Sequence, residues 1–244
     1  MSQLRAFKSP QLANYLANYA EPEARVLRDD RSHLDNIRWA AMAHDCCWQG
    51  CLVIPAFDES FQGLQKQIQS IADDQVLMIL VINAPENARQ EALERTQELY
   101  EQMTTEQHGH VLVVDRISTS RRIHPKQGVG MARKIGTDLA LALIEQGRIR
   151  SPWILQSDAD VAFPPAYTNL VHQASHHIPS GAKIFPHTHF SNDPTLHFAA
   201  QLYDKHMKYY IDGLRSAGRG GAAHRGYAFQ NAGRAAVHDE TGHA

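Results

Sequence analysis

No stretch of this chain is apolar for long enough to span a bilayer as a helix. An integral helical membrane protein is therefore not expected. Cysteine is scarce: Cys46, Cys47 and Cys51 are the whole complement. An odd, clustered set builds no disulfide framework and suits a reducing cytoplasm. A zinc site at these three would lack a paired Cys-x-x-Cys, and buried free thiols are the plainer expectation. Excess charge of either sign is absent, with a net charge of -2. Nothing in that balance points to nucleic acid or an anionic membrane as the main partner. Met1-Ser2-Gln3-Leu4-Arg5 has no apolar core of a signal peptide, so the expected location is the cytoplasm.

What is present is 43% apolar and 20% charged residues in 244 positions. That is the composition of a globule able to bury a real core, as one large domain or one domain with a small appendage. Fifteen histidines are scattered, with His176-His177 and His187-Thr188-His189 as the tight pairs. They read as surface or cleft residues.

Periodicity orders the chain. Leu12, Tyr15, Leu16 and Tyr19 recur at helix spacing, Glu21-Pro22-Glu23 breaks the pattern, and Leu34, Ile37 and Ala41 suggest a second helix. Residues 1–48 are thus a helical lead-in. Cys51-Leu52-Val53-Ile54-Pro55 is a short apolar run that fits a buried parallel strand. A helix follows from Phe61 to Ala72, carrying Leu64, Ile68 and Ile71. The next strand is Leu77–Ile82, ending at Asn83, and a polar helix runs from about Glu86 to Met103. Val111–Asp115 is the third strand. A basic loop with Arg116, Arg121, Arg122, His124 and Lys126 then leads to a helix from Gly128 to about Gln146. Trp153-Ile154-Leu155-Gln156 is the fourth strand, ending in Asp158-Ala159-Asp160. Strands each followed by a helix or long loop predict an α/β fold with an open, mostly parallel sheet covered on both faces.

In such a sheet ligands bind beyond the carboxyl ends of the strands, at a switch in strand order. Those ends carry Pro55-Ala56-Phe57-Asp58-Glu59, Asn83 and Asp158-Ala159-Asp160. On a continued strand, Asp158 and Asp160 would point the same way. Two converging carboxylates repel unless a cation or proton sits with them. The pair reads as a site for a divalent metal on a diphosphate, or else as a solvated acidic turn. The glycines from Gly128 to Gly136 do not match the dinucleotide fingerprint Gly-x-Gly-x-x-Gly. They allow a helix start to approach a ligand closely, with Arg133 within reach of a phosphate or in a surface ion pair.

Four segments together resemble family 2 glycosyltransferases. Val53-Ile54-Pro55-Ala56-Phe57-Asp58-Glu59 resembles that family's first-strand motif, and Asn83 stands where the family closes strand two with an acidic or amide residue. Gly128-Val129-Gly130-Met131-Ala132-Arg133-Lys134-Ile135-Gly136 is similar to its Gly-x-x-x-Ala-Arg-Asn-x-Gly helix, with Lys134 in place of Asn. Asp158-Ala159-Asp160, followed by Pro164 or Pro165, is similar to its Asp-x-Asp motif. The motifs occur in the family's order over roughly residues 50 to 240. The resemblance implies the GT-A fold over 49–244, with a nucleotide-binding half at 49–165 and part of an acceptor-binding half at 166–244. It implies a metal-dependent, inverting transfer of a sugar from a UDP- or GDP-linked donor to a hydroxyl acceptor. By that resemblance Pro55, Ala56 and Glu59 line the base and ribose pocket and Asp58 positions their loop. Asn83 contacts the base, and Arg133 faces the phosphates or braces their loop. Asp158 and Ala159 lie at the nucleotide-sugar, and Asp158 and Asp160 hold Mn2+ or Mg2+.

Toward the end, Gly181–His187 reads as a fifth strand and Pro194–Leu214 as a helix with Leu196, Ala199, Ala200, Tyr203 and Met207 on one face. Tyr209 and Tyr210 fit either a core or a sugar-stacking role. Tyr227–Gly233 resembles the strand that floors the acceptor site, and His187 and His189 face the sugar by analogy. Inverting members need a carboxylate base for the acceptor hydroxyl. Asp239 and Glu240 are the acids of the last thirty residues, so Asp239 is the candidate, unless Ala236–Glu240 is the strand before a missing motif in a truncated frame. His224 and His238 are candidate third metal ligands or surface histidines. Three alternatives stand beside the transferase: a nucleotide-sugar-binding remnant without turnover, a metal-dependent nucleotidyltransferase, and a haloacid-dehalogenase-type phosphatase. The nucleotidyltransferase normally shows a Gly-rich basic loop after strand one, where this chain has Ala56-Phe57-Asp58-Glu59. The phosphatase places Asp-x-Asp after its first strand.

Overall fold

The computed structural model describes residues 9–29, 37–39, 48–71, 75–106, 109–164, 167 and 187–217. The chain forms two compact units, Met1–Ile178 and Pro179–Ala244. The first is an α/β unit.

Two short helices open it. In α1 (Pro10–Asn18) the Ser9 hydroxyl accepts from the Leu12 N–H, with Pro10 in the first turn. Pro22 ends the run begun by α1 and starts α2 (Pro22–Asp29). Its fixed φ and missing N–H suit the first helical position. The second helix expected around Ile37 is not there. Ile37–Trp39 is instead the edge strand β1, antiparallel to the strand at Val111–Arg116. Ile37, Arg38 and Trp39 fit a two-residue period as well as a helical one, and pairing satisfies an otherwise open sheet edge. Leu34 and Ala41 lie outside the described residues.

The four expected parallel strands are present. They are β2 (Gly50–Ala56), β3 (Val76–Asn83), β4 (Val111–Arg116) and β5 (Ile154–Gln156), in the order β1-β4-β3-β2-β5. β2, β3 and β4 are apolar until Asn83 closes β3 and Asp115-Arg116 closes β4, because both their faces are covered. Cys51, Val53, Leu77, Ile79, Val81, Leu112 and Val114 share a core with α1, α2 and α5 (Gly128–Glu145). The alternate residues Leu52, Ile54, Met78, Leu80 and Val113 are buried too. They lie on the opposite face, where α3 (Phe61–Ser70) and α4 (Gln90–Thr105) bury Leu64, Ile68, Leu99 and Met103. Cys51 is a buried free thiol on β2; Cys46 and Cys47 lie outside the described residues.

Gly136 explains how closely α5 lies on the sheet. A Cβ there would collide with the Val53 side chain and come within 3.2 Å of Val81. Lys134, on the same helix, does not face the cleft. Its ammonium donates to Asp138 (2.7 Å), Glu21 (3.0 Å) and the Tyr19 carbonyl (3.0 Å). Buried Asp138 also accepts from the Tyr15 hydroxyl and the Glu21 N–H, both at 2.8 Å. Burial alone would lower the Lys134 pKa, but its bonds to Asp138 and Glu21 outweigh that and hold it above the ordinary range. The lead-in is thereby latched onto α5.

In the second unit, α6 (Pro194–Ser216) fills the expected helix. Its large apolar residues do not form a core: Leu196, Tyr203, Tyr209 and Tyr210 are all exposed. Residues 181–186 of the expected fifth strand lie outside the described residues, as do Tyr227–Gly233. Among the described residues no helix is long and apolar enough to cross a membrane.

Candidate active-site cleft

The sheet order reverses at β2. From β2 the chain adds β3 and then β4 on one side, and α5 carries it back to place β5 on the other. The carboxyl ends of β2 and β5 are thus the switch point, where open α/β sheets hold their ligands. A cleft of about 550 Å³ opens there, within the usual range of about 300–1,000 Å³ for a small-molecule site.

Pro55, Phe57 and Glu59 line it from the end of β2, and Asn83, Pro85 and Asn87 from the end of β3. Ile123 and Pro125 come from the loop after β4, Gly128 and Val129 from the start of α5, and Asp158, Ala159 and Asp160 from beyond β5. Three expected site residues do not line the cleft. Ala56 is buried behind it, and its carbonyl accepts from Asn83 Nδ2 at 3.2 Å. Asp58 turns toward α4, where Arg95 grips its carboxylate at 2.6 and 2.9 Å. Arg133 is paired with Asp158. Asp239, His224 and His238 lie outside the described residues.

Asp158 and Asp160 are not on a strand. β5 stops at Gln156, and the acids follow in the coil and turn beyond it. Strand alternation therefore does not set their directions. The Ser157 N–H still bonds the Val53 carbonyl at 3.1 Å, so the chain leaves the sheet directly beside β2. Behind the turn, Gln67 of α3 donates from one amide nitrogen to the carbonyls of Asp158 and Val161, both at 3.0 Å. Gln156 donates to Thr137 Oγ1 on α5 at 2.9 Å, which ties the end of β5 to the helix that carries Arg133.

The first-strand loop is equally fixed. Asp58 has φ of 61°, a left-handed conformation that carries strain in a non-glycine residue. Its N–H donates to Thr96 at 3.0 Å, and the Arg95 bond holds its carboxyl below the usual range. This side chain shapes the loop so that its neighbour Glu59 reaches the cleft. Glu59 is half-buried, and burial, followed by the charges of Asp160, Asp58 and Asp158, raises its pKa. Asn83 spends its Nδ2 on the Ala56 and Val81 carbonyls, which leaves Oδ1 as the group it can offer a ligand.

The cleft is therefore acidic on one wall. Its carboxylates are hard oxygen donors of the kind that suit Mg2+ or Mn2+. Among the described residues no three His, Cys, Asp or Glu side chains already converge as a metal cluster. The mutual repulsion felt by Glu59 is the field a cation would relieve. Facing this wall is the first turn of α5, which no side chain caps. Gly128 has φ of 54° there, and neither Gly128 nor Gly130 has a neighbour within 4 Å of a would-be Cβ. Open backbone N–H groups at a helix start favour an anion.

Gln67 and Arg95 escaped the sequence reading. Gln67 stands within the apolar stripe of Leu64, Ile68 and Ile71, and a polar residue in such a stripe was the available signal. Arg95 had none, lying 37 residues from Asp58 on a polar helix face. In the second unit, the His189 N–H and ring Nδ1 both bond Asp204, at 3.1 and 2.6 Å.

Comparison of the chain with protein-family models, with curated proteins and with solved structures found no match.

Proposed function

We propose that the chain is a glycosyltransferase of GT-A type that uses a nucleotide-diphosphate sugar and a divalent cation. One observation carries this reading: Glu59, Asn83, Asp158 and Asp160 line a single cleft at the β2/β5 switch, opposite the uncapped start of α5. An acidic wall facing an anion-binding helix start suits a cation–diphosphate pair, which presents both signs of charge. The resemblance of four ordered motifs supports the same reading.

Asp158 and Asp160 would hold the cation, which supplies charge neutralisation to the departing diphosphate. Asn83 Oδ1 accepts from the base, between the apolar walls of Pro55, Phe57 and Pro85. The N–H groups from Gly128 onward and the Arg133 guanidinium receive phosphate oxygens. In the transfer the acceptor oxygen bonds to the anomeric carbon, the bond from that carbon to the diphosphate oxygen breaks, and the acceptor proton passes to a carboxylate base. Asp239 is the candidate base from the sequence.

Asp160→Asn removes a full ligand charge and is expected to abolish cation-dependent binding of a UDP- or GDP-sugar, measured by equilibrium dialysis with Mn2+. Binding equal to that of the unaltered chain would contradict the cation assignment.

A further inference from the structure

We propose that Gln67 is a positioning residue of the cleft, whose buried amide straddles the acidic turn and sets how Asp158 and Asp160 are presented to a divalent cation. This rests on the cation-binding reading above. Gln67 is only 4% exposed and sits between Leu64 and Ile68 on the buried stripe of α3. Its single amide nitrogen bonds the carbonyls of Asp158 and Val161, both at 3.0 Å. Those carbonyls bracket Ala159 and Asp160, so the amide closes the turn from behind and limits how far it can open.

The other half of the amide shows what this arrangement costs. Gln67 Oε1 is buried with no hydrogen-bond partner among the described residues. An unpaired buried acceptor is destabilising and uncommon. Packing alone would favour Leu or Met on this stripe. A donor is retained because two inward-facing carbonyls of the acidic turn need one. Gln67 does not line the cleft, so it acts through backbone alone, as the groups that orient metal ligands from behind do.

The test is Mn2+ alone, titrated into the full chain and followed by the electron paramagnetic resonance signal of the free ion. Four proteins are compared: unaltered, Gln67→Met, Asp160→Asn and the double variant. Met keeps the volume and removes both hydrogen bonds. Gln67→Met is expected to keep the circular dichroism spectrum and to weaken Mn2+ binding by roughly tenfold or more. Asp160→Asn should then cost much less affinity in the Gln67→Met background than in the unaltered chain, because the two residues act as one unit. Additive effects, or Mn2+ binding by Gln67→Met equal to that of the unaltered chain, would overturn the positioning role and leave the cation site standing. An unaltered chain that takes up no Mn2+ would overturn both. If Gln67→Met does not fold, Gln67→Asn serves in its place. It keeps the amide but is one methylene too short to reach both carbonyls, so it carries the same expectation.

Discussion

Arg133 has two claims on its single charge. It is paired with Asp158, and it stands where a diphosphate would meet the start of α5. Exposed ion pairs contribute little to stability, and both partners here are partly exposed. The exchange of one anion for another is therefore not costly. Arg133→Ala is expected to weaken nucleotide-diphosphate binding by about 1–3 kcal/mol, the loss of a charge-assisted bond. The same change should tighten binding of Mn2+ alone, because Asp158 loses its competitor. Calorimetry of both ligands checks the opposite signs, and no change in either would leave Arg133 as a structural ion pair. Glu59 gives a second residue-scale prediction. Its folded pKa is raised by burial and by Asp160, Asp58 and Asp158. The folded chain thus binds its proton more tightly than the unfolded chain, and stability falls as pH rises through the raised pKa. Glu59→Gln should raise the thermal midpoint at neutral pH, and the gain should vanish below about pH 4, where glutamate is ordinarily protonated. A gain that persists in acid would contradict the electrostatic origin.

At the scale of elements, α5 does two jobs with neighbouring residues. Arg133 faces the acidic turn, while Lys134 and Asp138 latch the lead-in helices. Successive helix residues project about 100° apart, which is how a single segment serves both the cleft and the scaffold. Lys134 in place of the usual Asn of the resembled motif thus has a structural explanation here. Gly136 sets the depth of the helix against β2 and β3. Gly136→Ala should destabilise the fold by about 1–3 kcal/mol through overpacking, despite the helix-favouring nature of Ala. Urea unfolding measures this, and a stabilised variant would show that α5 can lift without cost. The central strands were legible because residues buried on both faces make unbroken apolar runs. The acidic turn was legible in composition but not in geometry, since β5 stops at Gln156 and side-chain alternation ends with it. Helix spacing at Leu34, Ile37 and Ala41 misled because Ile37-Arg38-Trp39 fits a two-residue period as well, and the pairing that decides between them comes from β4, over 70 residues away.

At the scale of the whole molecule, the α/β unit brings segments separated by a hundred residues to one cleft. Pro55, Glu59, Asn83, Asp158, Ala159 and Asp160 were readable from their places at strand ends, because parallel topology sends all such ends to one edge. Ala56 and Asp58 were not separable from their neighbours. Which loop residue faces a ligand depends on the left-handed backbone at Asp58 and its bonds to Arg95 and Thr96. On α6, helical spacing predicts an apolar face without saying what covers it, and Leu196, Tyr203, Tyr209 and Tyr210 prove exposed. The measurement that bears most directly on the central claim is calorimetric titration of the folded chain with UDP- and GDP-sugars, with Mn2+ and then with a chelator. The account predicts binding that requires the cation, favours one of the two bases, and disappears in both Asp158→Asn and Asp160→Asn. Absence of nucleotide binding in a chain shown to be folded, or binding indifferent to the chelator and to both substitutions, would contradict it.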